Sequence, residues 1–100
     1  MTNEATTAFH RRVAEELGGR YRDNDRAPEG WRETQAWHWE QAGNYAQAVE
    51  TALEVAELRV SRLDFGGARQ WTERALALIE RLDLELQLMY ELRACTLALA

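Results

Sequence analysis

Asn44-Tyr45-Ala46-Gln47-Ala48 returns twenty residues on as Asp64-Phe65-Gly66-Gly67-Ala68, and a fainter copy opens at Asp83-Leu84. Each copy begins with Asn or Asp followed by a large apolar residue. A short side-chain oxygen accepts hydrogen bonds from the free N–H groups of a helix's first turn, so each copy marks a helix start. Gln47 stands three residues after Asn44, the spacing of a capping box. Tyr45 and Phe65 are placed to plug the corner between arriving and departing helices. Ala48 and Ala68, one turn on, are small enough for close helix approach. A start every twenty residues leaves helices of about 17 residues joined by tight turns, which makes neighbours antiparallel.

Working outward, the expectation is an all-α chain of about five helices near residues 4–22, 29–42, 45–62, 65–82 and 84–99, forming one domain over 1–100. The first carries Phe9, Val13, Leu17 and Tyr21 at i, i+4 spacing, with Gly18-Gly19 weakening its end. Pro28 suits the first turn of the second, and Gly43 suits a left-handed residue closing it. The third carries Ala48, Val49, Ala52, Val55, Ala56, Val60 and Leu63. The fourth carries Ala68, Trp71, Ala75, Leu76, Ile79 and Leu82. The fifth carries Leu88, Met89, Leu92, Cys95, Thr96 and Leu99. These intervals of three and four are helical, and the wide apolar faces of the third and fourth suit interior helices of a stack.

Composition narrows the function. Twelve basic residues, all Arg, face 17 acidic ones, for a net charge of −5, so the chain repels phosphate backbones and nucleic acid is not an expected partner. No apolar run nears the roughly 20 residues of a membrane span. Met1 to Ala8 lacks a signal pattern, and the single Cys95 excludes an internal disulfide. A cytoplasmic location follows as an expectation. The last residues, Leu97-Ala98-Leu99-Ala100, stand within an apolar helix-favouring stretch, which reads as a piece of a longer array or a domain whose last helix is left uncovered.

Ala36-Trp37-His38-Trp39-Glu40-Gln41-Ala42-Gly43-Asn44-Tyr45, followed by Ala48, resembles a tetratricopeptide repeat. In such repeats an aromatic-bearing first helix ends at Gly, and Asp or Asn, Tyr and Ala open the second. Two twenty-residue steps exceed the family's period of about 34 residues. In this the chain is similar to the repeat superhelix of bacterial signal-transduction ATPases of the LuxR-type maltose-activator group. The resemblance covers roughly residues 9–82. It implies a right-handed stack of helix hairpins, an α-solenoid segment, acting as a sensor or scaffold arm that binds an effector or protein partner. No pair of titratable groups stands at a catalytic spacing on a shared helix face beside a small or Gly-rich loop, so no catalytic residue, cofactor or metal of the chain's own is expected.

The candidate contact residues for a protein or peptide partner are Arg32, Trp37, Glu40 and Gln41; Trp39, Tyr45, Ala48, Phe65 and Ala68 are assigned to packing between repeats. Trp37 and Trp39 are two apart and project from different sides of a helix. His38 and Glu40 share no helix face, no second His stands four residues away, and His10 reads as solvated, so a metal or acid–base site is not expected. Cys95 reads as a buried, inert thiol. Glu50, Glu54 and Glu57 form an acidic face, read first as a solvated surface and second as a groove for a basic peptide. Apolar residues spread round most of the last helix, so self-association through Leu88, Leu92 and Leu99, most simply as a two-fold homodimer, is the alternative role.

Overall fold

The computed structural model describes residues 4–98, and over these the chain is five α-helices joined by short turns. They are α1 (Glu4–Tyr21), α2 (Trp31–Gln41), α3 (Tyr45–Ser61), α4 (Phe65–Ile79) and α5 (Leu84–Ala98). Each packs on its neighbour in sequence, and α3 also meets α5. The result is a slab of 40 × 37 × 20 Å.

The twenty-residue repeat is visible in backbone detail. At the end of α2, Gly43 N–H bonds to Glu40 O and Asn44 N–H to Trp39 O; at the end of α3, Leu63 N–H bonds to Val60 O and Asp64 N–H to Arg59 O. These are the two crossed bonds of a helix-ending Schellman turn, and the residue at its apex takes positive φ. Gly43 does so at φ 76°, and Leu63 occupies the same place at φ 62°. A Cβ in that region costs about 1–2 kcal/mol, and the Leu63 side chain is largely in water, where it recovers little. Leu63→Gly is therefore expected to stabilise the chain by about 0.5–1 kcal/mol, net of the glycine's extra unfolded-state entropy. Thermal denaturation followed by circular dichroism checks this: the midpoint should rise by a few degrees.

The helix starts differ in how they are capped. The Asp64 carboxylate accepts from Gly67 N–H at 3.0 Å, and Asp83 accepts from Leu86 N–H at 3.0 Å. Asn44 makes no side-chain cap. Its Oδ1 accepts instead from Arg11 Nε of α1 at 3.1 Å, so the expected capping box with Gln47 does not form. Pro28 also differs from expectation. It lies in the preceding turn, its carbonyl accepting from Trp31 N–H, and Gly30 at φ 83° leads into α2. α4 stops at Ile79, short of the expected end at 82.

α1 runs unbroken through Gly18-Gly19. Gly18 lies against buried Gln35 of α2, whose Nε2 donates to Ala14 O at 3.0 Å. A Cβ on Gly18 would come within 2.6 Å of that nitrogen, whereas one on Gly19 would meet nothing. The two glycines thus respond oppositely to alanine. Gly19→Ala should gain about 0.5–1 kcal/mol of helix propensity. Gly18→Ala should lose about 1–2 kcal/mol, because Gln35 must leave the Ala14 carbonyl and stay buried. Urea denaturation of the two variants reads both signs.

The core centres on α3. Val49, Ala52, Leu53, Val55 and Ala56 are essentially inaccessible, and Val49, Ala52 and Leu53 form one cluster with Ala14, Trp39, Ala75, Leu78, Ile79, Tyr90 and Ala94 from the other helices. Two helices turn a different face inward from the one expected. On α1 the buried residue is Ala14, next to the Gly18 approach, and the Phe9-Val13-Leu17-Tyr21 stripe is only partly covered. On α5 the inward residues are Leu86, Tyr90, Ala94 and Leu97, while Leu88, Met89, Leu92, Cys95 and Thr96 face out. α5 has two apolar sides, and periodicity alone does not say which is inner. The Tyr90 hydroxyl decides it, donating to Glu50 of α3 at 3.0 Å. Burial, then that hydrogen bond, push the phenol up to about 12.

Candidate interaction surfaces

The four residues expected to meet a partner do not share a surface. Trp37 is 44% exposed and Gln41, one turn on, is exposed beside it. Arg32 and Glu40 are drawn inward instead. Arg32 lies with its guanidinium 4.9 Å from the Trp31 ring centre and its Nε 3.9 Å from Glu54 of α3. Glu40 accepts from Arg74 of α4 at 2.7 Å. Both are ties between helices, so of the four only Trp37 and Gln41 are exposed.

Trp37 belongs to an aromatic cluster across α1 and α2. The His10 ring stands 5.3 Å from Trp37 edge to face, 5.4 Å from Phe9, and 5.1 Å from His38. Trp37 and His38 lie 4.9 Å apart. The two imidazoles share a hydrogen bond between their Nδ1 atoms at 2.9 Å, so one donates and the other accepts. His10 is thus half-buried and partnered, where a solvated residue was expected. Twenty-eight residues separate the two rings in the chain, so only the α1–α2 contact brings them together.

That pair carries a pH dependence. Burial first, and neighbouring His10 second, hold the His38 imidazole below its ordinary 6.5. The fold therefore favours the neutral ring, and the unfolded chain binds more protons between the two values. Stability is full above 6.5 and falls as pH drops through it toward the lower folded value. Nearby charges are already engaged, Arg11 with Asn44 and Glu40 with Arg74. The urea midpoint should be lower at about pH 5 than at about pH 7.5, and His38→Gln should remove most of that difference.

The acidic face of α3 is engaged by arginines. Glu54 meets Arg22 at 3.5 Å as well as Arg32, and Glu57 meets Arg93 of α5 at 2.6 Å. Glu50 holds Tyr90, with Arg93 at 4.0 Å. Arg59 bridges Glu33 of α2 and Asp64 at 2.9 Å each. The Asp64 carboxyl lies below the usual carboxylate range, through the Gly67 N–H first and Arg59 second. These pairs are partly hydrated, so each contributes little to stability, but together they leave no open acidic groove on α3 for a basic peptide.

The packing residues divide. Trp39 is 9% exposed and sits in the core, and Ala48 and Ala68 are buried. Tyr45 is half-buried against the core, its ring 5.0 Å from the Arg81 guanidinium. Phe65, its counterpart, is 55% exposed. It does not plug a corner but borders an apolar groove of about 480 Å³ with Val60, Leu76 and Leu97. Tyr45 is covered by Arg81, from the turn after α4.

The outer side of α5 carries an uncovered apolar row. Leu84, Leu88 and Leu92 are 71%, 60% and 72% exposed at i, i+4 steps, with Met89 alongside. Leu99, assigned to the same role, lies outside the described residues. Cys95 is exposed on this face, contrary to the buried thiol expected, because Ala94 occupies the inner position. No described helix is long and apolar enough to cross a membrane. No family model, curated protein or solved structure gives a significant match to this chain.

Proposed function

We propose that this chain is a non-catalytic scaffold that binds other protein surfaces, and that Trp37, flanked by Phe9, His10 and Gln41, anchors the partner. The observation that supports it is the exposure of Trp37 in an aromatic cluster whose other polar groups are spent on the fold. Large aromatics half out of water dominate binding energy at protein interfaces, whereas neighbouring contacts mainly exclude water. In this reading the module is cytoplasmic and serves as an effector-binding repeat arm of a bacterial signal-transduction ATPase or regulator, the role implied by its likeness to tetratricopeptide-type arrays. The test is selection of helical peptides that bind the chain from a display library. Selected peptides should lose about tenfold or more in affinity against Trp37→Ala, with its helical signal unchanged. Binding indifferent to Trp37→Ala would remove Trp37 as the anchor.

A second reading is self-association, and the exposed Leu84, Leu88 and Leu92 on α5 favour it specifically. A soluble monomer rarely leaves such a contiguous apolar row in water.

A further inference from the structure

Among the described helices, α1 packs on α2 alone, and α5 packs on α3 and α4. Both carry an apolar row with a four-residue step that the other described helices leave at least partly uncovered. On α1, Phe9, Val13 and Leu17 line a groove of about 330 Å³ with Arg12, Glu16 and Arg20. On α5 the row is Leu84, Leu88 and Leu92. Rows of this kind are the ridges that interdigitate in the commonest class of helix packing.

The charges beside the two rows are opposite. Glu85 and Glu91 flank the α5 row, and neither is paired with any cation among the described residues. Arg93, the arginine of α5, is committed to Glu57. On α1, Arg12 has no anionic partner among the described residues, and Arg20 holds Glu16 only at 3.9 Å with both side chains 67% exposed. A two-fold pairing of α5 with α5 would bring the uncompensated Glu85 and Glu91 of both copies together. A pairing of α5 with α1 sets them against Arg12 and Arg20.

We propose that this chain associates head to tail, the α5 row of one copy seating in the α1 groove of the next. This rests on the second reading above for the use of α5, and goes beyond it in naming the receiving surface. Such a contact is heterologous and leaves a free end on every assembly, so growth does not stop at a dimer.

The experiment is sedimentation velocity across a micromolar-to-millimolar series on wild type, Phe9→Glu and Leu92→Glu, each checked for unchanged circular dichroism. Both substituted residues are exposed, so folding should survive. Wild type should pass beyond a dimer as concentration rises. Each variant alone should associate about tenfold or more weakly and stay near 11.5 kDa. An equimolar mixture of the two should form a dimer and stop there, because one intact α5 row and one intact α1 groove remain. Arg12→Glu and Glu91→Arg form a second pair: each should weaken association alone, and the mixture should not. Wild type that plateaus at a dimer, with Phe9→Glu unaffected, would overturn the head-to-tail contact and leave α5 self-association standing. Wild type that is monomeric throughout would overturn both. Failure of the mixed variants to associate while wild type does would overturn the head-to-tail contact.

Discussion

Trp39→Ala lowers the unfolding free energy by about 3–5 kcal/mol, whereas Trp37→Ala, two residues earlier, leaves it within about 0.5 kcal/mol. Trp39 is in the core cluster with Val49, Leu53 and Ala75, so truncation empties a space between α2, α3 and α4. Trp37 is 44% exposed, and its ring meets the two histidines edge-on. Chemical denaturation followed by circular dichroism separates the two. The contrast also bears on function, because loss of binding in Trp37→Ala is interpretable only if that variant keeps its fold. Comparable destabilisation by both would make Trp37 structural and remove it as a contact residue.

Leu53→Ala is expected to cost about 3–5 kcal/mol. Leu53 is wholly inaccessible on α3, the helix that packs against α2, α4 and α5. With partners around it, the backbone has little freedom to collapse into the vacated volume, which places the cost toward the high end for a buried leucine. Small domains have about 5–15 kcal/mol in total, so this one change removes a large share. The urea midpoint should fall steeply with an unchanged slope. A loss under about 1 kcal/mol would mean that the α3-centred packing described here is wrong.

Local chemistry written into a few residues was legible in the sequence. Asp64 and Asp83 cap as their side chains dictate, Gly43 turns left-handed, and the three- and four-residue intervals of the third segment place α3 in the interior. What the sequence hid depends on partners far along the chain. Arg32 and Glu40 looked free because Glu54 and Arg74 are more than twenty residues away. Asn44 has the chemistry of a cap, but Arg11 claims its oxygen. Gly18 looked like a weak point in a helix and is the place where α2 comes close. α5 carries apolar rows at helical spacing on both sides, and it is the row of Leu86, Tyr90, Ala94 and Leu97 that faces inward, its Tyr90 hydroxyl reaching Glu50 of α3. The His10–His38 pair was illegible for the same reason, since neither histidine has a partner at helical spacing.

In the function proposed above, the aromatic surface of α1 and α2 binds a protein partner. The most direct measurement is an amide NMR titration of the isotopically labelled chain with a selected helical peptide. The expected result is a contiguous set of shifted signals around Phe9, His10, Trp37 and Gln41, lost in Trp37→Ala. Shifts scattered over the molecule or confined to other faces, or a chain for which no peptide can be selected, would contradict it.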